Sequence, residues 1–178
     1  MKTVLGLDIS SSVIGWGILE FDKTTIALKK YGHIKPPDAK AGSLTIRLSS
    51  AMADVKKLLS EECPDIVVIE NYASAFSPGR SSARTIIVLS SFNEATQLVV
   101  YEALGFESEK LAVSHIRSVI SKHVGTKSIS KDEIFDEIKR IFPTFIPRIT
   151  KKQTVGAESY DQADAIAAAL SYAIESQK

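Results

Sequence analysis

The chain has 178 residues, 44% of them hydrophobic and 24% charged, with a net charge of +1 and one cysteine. That length suits one well-buried domain, expected over 1–178, and is too short for two comfortable ones. Cys63 alone excludes an internal disulfide or a cysteine metal motif, and no apolar run of about 18 residues is present to span a bilayer.

The start, Met1-Lys2-Thr3-Val4, runs straight into a strand with no signal-peptide layout, so a soluble, cytoplasmic protein is expected. Thr3 to Ile9 is apolar on both parities, as in a strand covered on both faces, and Ser10-Ser11-Ser12 turns the chain. Val13 to Phe21, carrying Gly15 and Gly17 around Trp16, and Ile26 to Ile34 complete a three-stranded antiparallel meander through the turn Asp22-Lys23-Thr24-Thr25. Trp16 is expected in the core. Apolar residues at helical spacing predict an amphipathic helix over Leu44 to Ser60. Cys63, beside Pro64, is expected to be a partly buried structural thiol, and Asp65 to Glu70 reads as another buried strand.

Asn71 to Ser82, rich in Ser, Ala, Pro and Gly, is expected to be a loop beyond a strand end, a place where function concentrates. Ala83 to Leu104 predicts a long helix stopped by Gly105, with an apolar face for a partner. Leu111 to Val113 is a short strand, and Ser114 is placed to cap a helix ending at Gly125. Ser130 with Glu133 makes a capping box for a helix reaching Phe142. Ser159-Tyr160-Asp161-Gln162 has the same form, with Ser159 as N-cap of the last helix. This order of elements predicts an α/β domain whose mixed β-sheet is flanked by helices.

Four acids stand out. Asp8 closes the apolar run Val4-Leu5-Gly6-Leu7, Glu70 closes Ile66-Val67-Val68-Ile69, and Asp161 and Asp164 lie one helical turn apart at the head of an Ala-rich segment. Taken singly, Asp8 could bind amides of the Ser-rich turn, and Asp161 could answer the helix dipole. Asp164, among Ala163, Ala165, Ala167 and Ala168, needs a counter-charge if ionised toward a core. Brought together, the four would repel: two unit charges about 4 Å apart cost about 4 kcal/mol at an effective dielectric near 20, against a total domain stability of about 5 to 15 kcal/mol. A divalent cation removes that cost, and an all-oxygen set suits Mg²⁺ or Mn²⁺. From His115 to Lys152 nine Lys and Arg stand against four Asp and Glu. A basic side next to an acidic pocket suits a phosphodiester substrate, and a solvated helical face explains the same charges equally well.

Gly6-Leu7-Asp8-Ile9-Ser10-Ser11-Ser12-Val13-Ile14-Gly15-Trp16-Gly17, then Ile69-Glu70, then Asp161-Gln162-Ala163-Asp164-Ala165 resemble, in order and over nearly the whole chain, the RuvC-type Holliday junction resolvases of the RNase H-like superfamily, phage-borne relatives included. The resemblance implies an RNase H-like fold. It also implies a homodimeric, Mg²⁺-dependent endonuclease that binds four-way DNA junctions and nicks two strands of like polarity symmetrically; the acid set itself is expected to hold two ions per site, with Mn²⁺ substituting. Asp8, Glu70, Asp161 and Asp164 match the family's metal-binding, catalytic acids. Gly125 and Lys131 look like its loop and DNA-contacting lysine, and Lys127 between them is a further DNA-binding candidate.

The chain has Ala73 where the family often has an aromatic residue, leaving Tyr72 or Phe76 to stack on unpaired bases. It has Ile120 near a family basic position, leaving Arg117 or Lys122 as substitutes. Arg80 and Arg84 are further candidates for the DNA backbone. His33, His115 and His123 lack ligand spacing and read as surface or satisfied core residues, His123 with a possible place near phosphate. Three rivals remain open: an RNA-acting nuclease of the same fold, a non-catalytic branched-DNA-binding module, and an ATP-binding domain of the actin and sugar-kinase type. The last is suggested by Asp8 with Ser10-Ser11-Ser12 and Gly15, but needs a second domain.

Overall fold

A computed structural model describes residues 1–71 and 83–178, apart from the side chain of Lys131. The elements run β1 (Lys2–Ile9), β2 (Ile14–Phe21), β3 (Ile26–Ile34), α1 (Leu44–Glu62), β4 (Ile66–Asn71), α2 (Ala83–Leu104), β5 (Glu109–Ala112), α3 (Val113–Val124), α4 (Lys131–Ile141) and α5 (Ala157–Ser176). The strands form one five-stranded sheet in the order β3-β2-β1-β4-β5. The meander pairs are antiparallel and the β1/β4 and β4/β5 pairs parallel. This is the expected mixed sheet, with helices on both faces.

The apolar run in β1 has two destinations because side chains alternate across a strand. Leu5, Leu7 and Ile9, with Val67 and Ile69 of β4, pack on α1 and α2 through Ala51, Val55, Leu59 and Phe92. Val4 and Val68 face the other way, into a core built with Ile120 of α3, Ile138 of α4 and the alanine-rich side of α5. Burying both parities of β1 and β4 explains why neither strand shows polar alternation.

α5 lies unusually close to the sheet. A Cβ on Gly6 would fall 2.0 Å from the Ala165 carbonyl oxygen, and one on Gly15 would fall 2.2 Å from that of Asp161. Hydrogen is the only side chain that lets the helix backbone settle there.

Several local expectations are corrected. α5 begins at Ala157 with Gly156 at the cap position, not at Ser159. The Ser159 hydroxyl is fully buried and accepts from the Arg148 backbone N–H at 3.0 Å, so it serves the preceding segment instead of capping. Asp161 therefore sits in the second turn. α3 starts at Val113 without a side-chain cap, because β5 feeds directly into it from Ala112, and Ser114 is already helical and exposed. Cys63 is exposed, at the left-handed end of α1 with φ of 43°, its thiol donating to the Ser60 carbonyl at 3.3 Å. Trp16 is half-buried at the edge of the core, against Gly32. The capping box of Ser130 and Glu133 forms as read.

Candidate metal centre

The parallel register of β1 and β4 runs Val4 to Ile66, Leu5 to Val67, Gly6 to Val68 and Leu7 to Ile69. Its next step sets Asp8 beside Glu70, on strands about 5 Å apart. Both acids share the parity of Val4 and Val68, so both face the side that α5 covers. Across the meander Asp8 pairs with Gly15, and Gly15 is the residue against which the Asp161 backbone rests. One turn along α5, Asp164 lines a small recess together with Glu70, Arg117, Val113, Ile116 and Ile134. The fold thus gathers Asp8, Glu70, Asp161 and Asp164 at the same end and on the same face of the sheet. All four are half-buried.

Each of the four acids is engaged in an interaction. Among the described residues no three or more His, Cys, Asp or Glu side chains are grouped as a ready metal cage. The donors available are all carboxylate oxygens, the chemistry of a hard divalent ion, and no imidazole or thiolate competes within the set. The backbone gathers the acids, and convergence of their oxygens would require a counter-ion to offset their repulsion.

The supporting residues include some that sequence reasoning passed over. Arg47, only 9% exposed, reaches from α1 to the loop after Asp8: its Nη2 donates to the Ser11 carbonyl at 2.6 Å and its Nε to the Pro37 carbonyl at 2.7 Å. Its guanidinium lies 5.6 Å from the Phe92 ring centroid, a cation–π contact that ties α1 to α2. The signal was present, since Arg47 falls on the apolar stripe between Leu44 and Ala51. His33, the register partner of Gly15, is 3.2 Å through Nδ1 from Nε2 of the buried Gln162. It thereby braces the turn of α5 that carries Asp161. Glu158, in the first turn, is held below the usual carboxylate range by its hydrogen bond from the Arg148 guanidinium.

Of the other candidates, Arg117 lines the acidic recess, half-buried, while Lys122 and Lys127 are exposed at the end of α3 and in the loop beyond it. Arg84 is exposed in the first turn of α2, in a groove shared with Arg47 and Ser11. Tyr72, Phe76 and Arg80, and the side chain of Lys131, lie outside the described residues.

A mixed sheet in this strand order, with helices on both faces, is the RNase H-like fold. No family model matches the chain. The crossover junction endodeoxyribonuclease RuvC of Colwellia psychrerythraea is 25% identical over 174 residues, 96% of this chain and 86% of the relative. The RuvC of Gluconobacter oxydans is 28% identical over 176 residues, 97% of this chain and 90% of that one. In structure, RuvC of T. thermophilus in complex with Holliday junction substrate superposes with a TM-score of 0.72, covering 99% of this chain and 95% of that one at 16% identity. Along nearly its whole length the chain is thus similar in sequence to RuvC proteins, and it shares their fold.

Proposed function

We propose that residues 1–178 form a single divalent-metal-dependent nuclease domain that resolves four-way (Holliday) junctions and other branched DNA by paired symmetric nicking. The observation that carries this reading is the parallel register of β1 and β4, whose next step leads to Asp8 and Glu70, under the helix that bears Asp161 and Asp164. Full-length relationship to crossover junction endodeoxyribonucleases supports the substrate class. These relatives come from bacteria, which supports a place of action in the cytoplasm of a bacterial or phage-infected cell.

In this reading Asp8, Glu70, Asp161 and Asp164 hold two Mg²⁺ ions, with Mn²⁺ able to substitute. When bound, such ions activate the attacking water and stabilise the leaving oxygen of a phosphodiester. Arg117, at the rim of the recess beside Glu70 and Asp164, offers positive charge to the scissile phosphate. Arg47 keeps the turn after Asp8 in place through the Ser11 carbonyl, and His33 with Gln162 holds α5 against β2. Two such domains in a homodimer would present two centres to the two-fold symmetry of a four-way junction.

Asp8→Asn, Glu70→Gln, Asp161→Asn and Asp164→Asn should each lower junction cleavage by about 10²-fold or more, the scale of losing one electrostatic stabiliser, while junction binding persists. Labelled four-way junction, duplex and flap DNA, with and without Mg²⁺, provide the assay, and mapping the nicks reports symmetry. Undiminished cleavage by all four variants would overturn the assignment.

A further inference from the structure

The chain enters α5 through a hairpin, residues 148–156, that the proposed chemistry leaves unused. Ile149 bridges to Val155, the Thr150 N–H donates to the Thr154 carbonyl at 2.8 Å, and the Gly156 N–H donates to the Arg148 carbonyl at 2.8 Å. Gln153 makes the reversal with a left-handed φ of 59°. Its root is firm. Val155 packs into the core under α5, Arg148 is bound to buried Ser159 through its backbone and to Glu158 through its guanidinium, and the Ile146 N–H just upstream donates to the Tyr31 hydroxyl at 3.0 Å. Asp161 lies five residues beyond Gly156, about 7 Å along the helix at 1.5 Å per residue.

The hairpin presents a combination that water alone does not favour. Lys151 and Lys152 are exposed at its tip, and among the described residues neither is in an ion pair. Ile149 is 59% exposed and Ile146 74%. Paired cations beside bare aliphatic side chains, on a rooted support, match a polyanion that also has apolar faces. Nucleic acid has both, and proteins that distort it insert apolar side chains where bases unstack. A branch point is such a place.

We propose that the 148–156 hairpin grips branched DNA beside the acid-bearing centre, with Lys151 and Lys152 on backbone phosphates and Ile149 against the unstacked bases at the branch. The proposal rests on the branched-DNA reading and adds a contact that reading does not require. Two neutralised phosphates contribute about 1.8 to the slope of log affinity against log salt.

Binding of labelled four-way junction and of matched linear duplex is to be titrated without divalent metal from about 50 to 200 mM salt, the range over which phosphate contacts register. Lys151→Ala/Lys152→Ala should flatten the junction slope by about 1.8 and weaken binding about tenfold. Lys151→Arg/Lys152→Arg should restore both. Ile149→Ser should lower the preference for junction over duplex several-fold. Wild-type slope and preference in folded alanine and serine variants would overturn the proposal, as would failure of the arginine pair to restore the slope. If the alanine pair does not fold, Lys151→Gln/Lys152→Gln replaces it under the same criteria, and unfolding of that pair too would make the tip structural and overturn the proposal. A wild-type protein that bound no branched DNA would instead sink the functional reading itself.

Discussion

At position 15 a methyl group would occupy the space that the Asp161 carbonyl oxygen fills, 2.2 Å from where a Cβ would stand. The opposing atom is backbone, so relief requires α5 to move away from β2. Overpacking of this kind costs about 1–3 kcal/mol. Gly15 is also the cross-strand partner of Asp8, so the displacement would move Asp161 and Asp164 of α5 away from Asp8 of β1. Gly15→Ala should therefore lower stability in urea unfolding by about that amount and lower cleavage further, by about 10²-fold, as displacements of about 1 Å in a reacting constellation do. Activity that fell no more than the unfolded fraction would separate packing from chemistry at this residue.

The individual elements are pinned by carboxylates away from the centre. Asp22 accepts from the backbone N–H and hydroxyl groups of Thr24 and Thr25 in the β2–β3 turn, which lowers its pKa from 3.8 to about 2. Asp65 accepts from the Thr3 N–H at 2.7 Å and hydroxyl at 2.8 Å, tying the start of β4 to β1, and its pKa is lowered by the same bonds. Both groups titrate lower in the folded than in the unfolded chain. Their contribution is complete above the ordinary value of 3.8 and is lost as pH falls toward and through the folded value, about 2 for Asp22. Thermal midpoints should fall between about pH 4 and pH 2, and Asp22→Asn/Asp65→Asn should make that fall shallower. An equally steep decline in the double variant would place the acid sensitivity elsewhere.

Taken whole, the molecule leaves one long helix covered on only one side. α2 buries Phe92, Thr96 and Val100 against α1 and the sheet, while Ile87, Leu98 and Tyr101 remain 62%, 58% and 56% exposed. Ile87, Ser91, Glu94, Leu98 and Tyr101 are spaced three and four apart, so the three apolar residues share an outward stripe suited to an isologous contact. Light scattering at micromolar concentration should report a dimer, and Leu98→Glu/Tyr101→Glu a monomer whose nicks are no longer paired across the junction. A monomeric wild type that still nicked both strands symmetrically would refute the coupling. No described helix is long and apolar enough to cross a membrane.

Much of this was legible locally. The bounds of β3 and α2, the capping box of α4 and the strand-end positions of Asp8 and Glu70 follow from periodicity and turn chemistry, which act over a few residues. Choices made by distant atoms were not legible. Ser159 has the local form of a cap, yet its hydroxyl is claimed by Arg148. Arg47 stands out on its apolar stripe, but its partners Ser11, Pro37 and Phe92 are set by the fold. Sequence by itself determined which residues bear charge and where β1 and β4 surface, because a buried apolar run must end where polar groups meet water; the short strand read at Leu111 to Val113 instead spans Glu109–Ala112, since Val113 already belongs to α3. Only the tertiary structure decided that the ladder of β1 and β4 runs toward Asp8 and Glu70 at the sheet end that α5 covers, because strand pairing and helix approach are settled by burial between segments far apart in the chain.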